Sequence, residues 1–323
     1  MELARQLSAN GWCSGEEMAA MLGCSRTAVW KHVSALRALG VKVEARAGLG
    51  YRLAQSLELL DKARILEGLG ADAESLSGLD IVAETGSTNA DLLARRDDQL
   101  HRYALFAERQ TGGRGRRGRP WFSPFARNVY LSLGWRFESG LGALTFLPLV
   151  VAIAAARACE SVGLQQHGIK WPNDIVLERH GVMHKLGGCL VEVRGDLGGP
   201  CLAVMGVGLN VFMRDAPGVE VIDQPWADLG GELEAVSRNQ VSAALLQELL
   251  SSVSAYEQAG FEPVKSDWDR FDALKGRRIS LLGEGETLHG RVQGLGPRGG
   301  LLLEQGGETT EYLAGEAKIR QSV

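Results

Sequence analysis

Long apolar runs are missing from this chain. The longest, Leu147 to Ala156, contains Pro148 and reaches about half the length of a membrane-spanning helix, so no membrane residence is expected. The N-terminus, with Glu2 and Arg5, has no apolar segment of the signal-peptide kind. Cysteine is scarce: Cys13, Cys24, Cys159, Cys189 and Cys201 are odd in number and scattered, with no pair at CxxC or metal-ligand spacing. That excludes a disulfide framework and favours buried thiols in a reducing, cytoplasmic compartment. A large excess of charge of either sign is absent too. The formal net charge is −4, so any anionic partner must be met by a local patch. Six histidines form no Ser-His-Asp, Cys-His or zinc-ligand pattern. A covalent protein intermediate and a protein-only metal site are therefore not indicated.

With 45% hydrophobic and 23% charged residues over 323 positions, the chain reads as globular, with two or three domains. Residues 1–62 read as one small unit. A short helix is predicted over Glu2 to Ala9. Ser14-Gly15-Glu16-Glu17 is an S-x-x-E capping box opening a helix that ends at Gly23. Ser25 caps a third helix, Arg26 to Leu39, with Val29, Val33, Leu36 and Leu39 on its apolar face. Strands at Val41 to Glu44 and Tyr51 to Leu53 flank Gly48-Leu49-Gly50 as a hairpin. This is the outline of a winged helix-turn-helix, whose third helix enters the DNA major groove. Ser25, Arg26, Thr27, Trp30 and Lys31, with Arg37, are the candidate DNA contacts. Eight Lys/Arg against six Asp/Glu in this unit is only a mild basic bias, and a packing or dimer role stays open.

Residues 63–273 read as a larger α/β region after a linker, and the linker helix is predicted near Leu59 to Leu69. Further helices are predicted at Ser87 to Arg96, Leu144 to Val162, Val241 to Gln258 and Pro263 to Leu274. Strands are predicted at Tyr103 to Ala107, Val129 to Trp135, Ile169 to Trp171, Gly188 to Val193 and Cys201 to Val207. The order is not strict βαβ, so the fold class is α+β with a mixed or antiparallel sheet. Residues 274–323 turn strand-like and glycine-rich, at Arg278 to Leu282, Leu288 to Val292 and Gly300 to Leu303, as in a small β-barrel.

The most informative segment packs Arg109, Arg114, Arg116, Arg117 and Arg119 among glycines within eleven residues. Glycine lets the backbone approach a ligand, and arginine forks bind phosphate or carboxylate. Five like charges predict a loop that is mobile when free and ordered by polyphosphate. Gly113 to Gly118 matches G-x-G-x-x-G formally, but Pro120 and Pro124 deny the helix a dinucleotide fingerprint needs. An RGG-type RNA contact fits poorly beside the apolar Trp121-Phe122, and a plain solvated charge run remains the bland alternative.

Other polar clusters stand at predicted element ends. Lys170-Trp171-Pro172-Asn173-Asp174 follows a strand and could position a cation such as Mg²⁺, or be a turn capped by Asp174. Lys185-Leu186-Gly187-Gly188 is read at the mouth of a strand, where the lysine can meet a ligand carboxylate or simply face solvent. Gly206-Val207-Gly208-Leu209-Asn210 ends another strand with small residues that suit close ligand approach. Thr85-Gly86-Ser87-Thr88-Asn89 precedes a helix and reads as a cap that can also bind a polar ligand.

Ser87-Thr88-Asn89, the Gly113–Arg119 loop, the 170–174 run, Lys185 to Gly188 and Gly206 to Asn210 occur together in the order of a known family. The chain resembles the bifunctional biotin–protein ligases that double as biotin operon repressors, over essentially its whole length. The resemblance implies a winged helix-turn-helix, a ligase core and a C-terminal SH3-like barrel. It implies adenylation of biotin by ATP and Mg²⁺ to biotinyl-5′-AMP, then transfer to a lysine of a biotin carboxyl carrier protein. By position it assigns Ser87, Thr88, Asn89, Gln110, Arg114, Gly115, Arg116, Lys185 and Gly188 to biotin. Arg114, Arg116, Arg117, Arg119, Trp121, Asn173, Asn210 and Trp226 fall on the nucleotide side. Lys185 and Arg116 are the catalytic candidates, with the metal arriving on ATP near Asn173 and Asp174. Operator DNA and an adenylate-bound homodimer are the implied partners. Pro120 stands where the pattern often has lysine, and Thr111 and Gly112 also depart from it. A ligase whose winged helix does not repress, and a ligand-sensing transcription factor without ligase activity, are the competing readings.

Overall fold

In the computed structural model of the chain, residues 2–7, 11–196, 198–283 and 286–319 are described. The first unit comprises α1 (Glu2–Gln6), α2 (Gly15–Met21), α3 (Arg26–Ala38), β1 (Val43–Arg46) and β2 (Gly50–Leu53). The end of the predicted first helix, at Ser8 and Ala9, lies outside the described residues. The capping box is complete: the Glu17 amide donates to Ser14 Oγ while the Ser14 amide donates to the Glu17 carboxylate. Ser25 caps α3, and Val29, Val33 and Leu36 are buried with Met18 in the small core. The first hairpin strand begins two residues later than predicted. Val41 is still folded back on the helix end, its amide donating to Leu36 O.

Then come α4 (Lys62–Leu69), β3 (Gly78–Val82), α5 (Thr88–Leu93), β4 (Tyr103–Ala107), β5 (Val129–Phe137), α6 (Leu147–Ser161), β6 (His167–Lys170), β7 (Asp174–Arg179), β8 (Val182–Gly195), β9 (Cys201–Leu209), α7 (Arg238–Ala259) and α8 (Glu262–Phe271). The strands form one sheet in the order β3-β4-β5-β9-β8-β7-β6, parallel only at β3–β4. This is the mixed sheet expected, and α6 and α7 lie across it over the main core. By length and composition the helical run Leu141–Ser161 would suffice to cross a membrane, yet most side chains of α6 are buried in this core.

Two helices stop earlier than their patterns. Helix α5 ends at Leu93 because the Arg194 guanidinium takes the carbonyls of Leu93 and Arg95. Helix α8 ends at Phe271, where Asp272 accepts from the amides of Leu274 and Lys275 in a turn. The predicted strands missed β3, β7 and the first half of β8. The β7–β8 turn uses His180 and Gly181 at φ 52° and 76°, and the charged residues around it hide the alternation. The C-terminal unit holds β10 (Arg278–Leu282), β11 (Thr287–Leu295), β12 (Leu301–Gln305), β13 (Glu308–Tyr312) and β14 (Glu316–Ile319). They form an antiparallel sheet in the order β13-β12-β11-β10-β14, bent by a bulge between Val292 and Gly294.

Candidate active site

A cavity of about 1100 Å³ opens over the sheet where β8 and β9 carry the glycines Gly188, Gly206 and Gly208. Every residue assigned above to biotin or nucleotide lines it: Ser87 to Asn89, Gln110, the arginine loop, Trp121, Asn173, Lys185, Gly188, Asn210 and Trp226. It is also lined by Leu39 and Gly40 from the end of the third helix, and by Glu316 from the C-terminal unit. All three units therefore meet there, which the sequence reading missed.

Lys185 is not at a strand mouth, as the sequence reading had it. It lies inside β8 at a bulge, where Ile175 pairs with Gly187 but Val176 pairs with Lys185. The extra residue, Leu186, is fully buried. Lys185 Nζ sits 2.8 Å from Asp174 and 5.3 Å from the centre of the Trp121 ring. Its main chain is stapled to the segment 225–227: the Lys185 amide donates to Pro225 O and the Ala227 amide to Lys185 O, both 2.9 Å. This brings Trp226 alongside Lys185.

At one end of the cavity lies a buried polar set. Ser87 caps α5. The Thr88 amide and hydroxyl both donate to Gln110 Oε1, at 2.9 and 3.1 Å. Ser132 Oγ lies 2.7 Å from Thr88 Oγ1 and 2.6 Å from Asn89 Oδ1. Asn89 Nδ2 donates to Glu192, 2.8 Å away. Gly206 allows this packing, because a Cβ there would lie 2.4 Å from Asn89 Oδ1. Gly208 does the same for Trp121, whose indole nitrogen would be 2.5 Å away. The small residues of β9 are thus approached by the protein's own side chains. Among the described residues, the buried Trp121 Nε1 has no hydrogen-bond partner.

The arginines are not unopposed, contrary to the repulsion argument. Arg109 pairs with Glu84 at 2.9 Å, Arg114 with Glu192 at 3.0 Å and Arg119 with Glu316. Arg116 Nη1 reaches Asn173 Oδ1 at 3.4 Å. Burial, with Arg117 beside it, lowers the Arg116 guanidinium below its usual range, so an added anion would relieve it. The loop holds only a single 3-10 turn, Arg116–Gly118, broken by Arg117 at φ 57°, and no α-helix follows it as a dinucleotide fingerprint would need. Lys170, quoted in a motif but assigned no role, also lines the cavity. Burial lowers its ammonium, with Asp174 and Glu316 opposing.

Asn210 has less freedom than a nucleotide contact implies. Its Nδ2 donates to the carbonyls of Lys185 and Ala227, and its Oδ1 accepts from Asn128. Asn173 is similarly engaged, its Nδ2 donating to Cys189 O. In the winged-helix unit Trp30 is 57% exposed and Arg26 pairs with Glu16 at 2.9 Å, both side chains open to solvent. Arg37 is exposed as well, and its guanidinium also donates to Val43 O, tying α3 to the hairpin.

Residues 84–210 match the biotin/lipoate A/B protein ligase family, residues 2–52 an HTH domain, and residues 275–320 the biotin protein ligase C-terminal domain. The bifunctional ligase/repressor BirA of Escherichia coli K12 is 38% identical over 98% of this chain and 96% of its own length. The chain belongs to the biotin protein ligase family. The Bacillus subtilis 168 bifunctional ligase/repressor is 30% identical over 91% of this chain and 90% of its own. Among solved structures, the Aquifex aeolicus biotin protein ligase in complex with biotin and ATP aligns with a TM-score of 0.64 and 29% identity. That alignment covers 76% of this chain and 99% of that one. In family terms, the cavity lies where the catalytic segment, the HTH unit and the C-terminal domain converge.

Proposed function

We propose that this member of the family is an ATP-dependent biotin–protein ligase and a biotin-operon repressor whose corepressor is biotinyl-5′-AMP. The observation that carries the ligase reading is the Lys185 ammonium, held by Asp174 at the floor of a three-unit cavity with Arg116 nearby. A substrate carboxylate can take Asp174's place on Lys185. One of its oxygens then attacks the α-phosphorus of ATP, and the bond to pyrophosphate breaks. The acceptor lysine's neutral amine attacks the acyl carbon of the mixed anhydride, forming an amide and releasing AMP and a proton.

The side chains divide the work by chemistry. The hydroxyl and amide groups of Ser87, Thr88, Asn89 and Gln110 suit a polar fused ring, with Gly188 leaving room at the β8 floor. Lys185 orients the carboxylate. Arg114, Arg116, Arg117 and Arg119, with Gly115 allowing close approach, neutralise phosphate oxygens as charge develops. Arg116 retains the adenylate, and Trp121 and Trp226 supply aromatic faces for adenosine. Among the described residues no group of three or more His, Cys, Asp or Glu is assembled to hold a metal. Mg²⁺ would arrive on ATP, with the Asp174 carboxylate and Asn173 amide oxygen as hard ligands of the right kind. When bound it would draw charge from the phosphates.

For repression, the exposed face of Ser25, Arg26, Thr27, Trp30 and Lys31 supports operator contact over a packing-only role. Among the described residues, 190–195 of β8 pair with β9 on one side and with no strand on the other, and Val193 is 44% exposed. Such an edge suits pairing with a second copy when adenylate is bound. All five cysteines are free, consistent with a reducing, cytoplasmic setting.

Incubation with ATP, Mg²⁺, biotin and a biotin-carrier domain tests the ligase reading. The expected result is an ATP-dependent mass gain of one biotin per carrier. No gain and no adenylate from folded protein would leave only a sensor. Operator binding should strengthen with adenylate and vanish without residues 1–60; equal binding in all arms would remove the repressor role. Gly208→Ala checks the nucleotide face separately. The new methyl group must displace Trp121, and the KM for ATP is expected to rise about tenfold or more. An unchanged KM would mean that Trp121 does not face the nucleotide.

A further inference from the structure

A buried polar chain runs from the linker before α4 to the site, and of its side chains only Asn210 carries a role from the sequence. Arg238, at the start of α7, and Glu108, at the end of β4, are both fully buried and pair at 2.8 Å. Glu108 Oε1 accepts from the Leu60 amide at 2.6 Å, and Glu58 accepts from the Arg238 amide at 2.6 Å. The Arg238 guanidinium then forks onto one carbonyl, Asn128 O, at 3.1 Å from Nε and 2.7 Å from Nη2. Asn128 is itself fully buried. Its Oδ1 accepts from the Val211 amide at 3.0 Å, and its Nδ2 lies 3.4 Å from Asn210 Oδ1 and 2.9 Å from Met213 Sδ. Asn210 in turn holds Lys185 O at 3.3 Å and Ala227 O at 3.0 Å.

Resting on the ligase reading, we propose that Asn128 is a positioning residue for adenylate formation. Through Asn210 it fixes the main chain on both sides of the site, at Lys185 on β8 and at Ala227 beside Trp226. The chemistry of the two amides makes the arrangement directional. Asn210 can give both N–H groups to the carbonyls only while its oxygen faces a donor, and Asn128 Nδ2 is that donor. If it faced an acceptor, the Asn210 amide would have to turn, bringing its oxygen against two carbonyl oxygens. Such a buried network is well determined when satisfied and costly when half satisfied.

Asn128→Asp keeps the size and the acceptor for Val211 but removes the donor. Adenylate formation in a single turnover is expected to fall about 10- to 100-fold. Biotin affinity without ATP, which the cluster around Thr88 shares with Lys185, should fall far less than the rate, by about threefold at most. Hydrogen exchange over residues 223–229 of the ligand-free chain should speed up. Arg238→Lys keeps the charge beside Glu108 but loses the fork on Asn128 O. It should shift the same readouts in the same direction by less, and it carries the test if Asn128→Asp does not fold. Unchanged rate and exchange in a folded variant would overturn the proposal. So would a joint collapse of biotin affinity, thermal midpoint and rate in both variants. If the unsubstituted protein makes no adenylate, the ligase reading fails by itself, and the exchange comparison still decides whether Asn128 holds the segment.

Discussion

Lys185→Ala is expected to lower the rate of adenylate formation about 10²- to 10³-fold, as loss of one preorganised electrostatic partner does elsewhere. The bulge in β8 aims this ammonium into the cavity, and its main chain is stapled on two sides by Pro225 and Ala227. The lysine is therefore prepositioned before substrate arrives. Removing it also leaves the Asp174 carboxylate without its 2.8 Å partner. A substrate carboxylate would then meet a like charge where it met an ammonium. Pyrophosphate release at saturating ATP and biotin is the measurement. Lys185→Arg should not rescue, because a planar fork cannot place its charge where the compact ammonium sits, 2.8 Å from Asp174. A pyrophosphate rate within about threefold of the unsubstituted protein would remove Lys185 from the chemistry.

Glu108→Leu carries the largest stability effect, an expected loss of about 3–5 kcal/mol, because Arg238 would remain buried without a countercharge. The Leu60 amide loses its acceptor in the same step. Urea unfolding of single and double variants checks this. The pair Glu108→Leu with Arg238→Met should recover much of the loss, since an apolar pair avoids the desolvation of both ions. Equal stability of Glu108→Leu and the parent would mean that water reaches Arg238.

The sequence carried a good deal of this. The capping box at Ser14, the cap at Ser25 and the spacing of Val29, Val33 and Leu36 state the helix-turn-helix locally, and the structure builds it so. The run Tyr103 to Ala107, apolar and aromatic throughout, is a strand with the bounds read from the sequence. The cavity residues fall in short motifs, so the family resemblance could assign them by position, even where a side chain such as Ser87 also caps a helix. What was lost were features with no local mark. β7 and the start of β8 are amphipathic by register against neighbours rather than by simple alternation, and a left-handed pair at His180 and Gly181 turns the hairpin.

Composition, capping and spacing by themselves pointed to three units, an α+β class and an arginine-rich loop set among polar motifs, because each leaves its mark within a short stretch of chain. Only the tertiary structure decided that carboxylates from three distant elements meet the loop's arginines. Only it decided that Lys185 emerges from a bulge, and that Asn210 is committed to main-chain carbonyls. Those outcomes depend on which strands become neighbours across tens of residues. Pairing of that kind is selected by burial of the whole core and leaves no signature in any single stretch of chain.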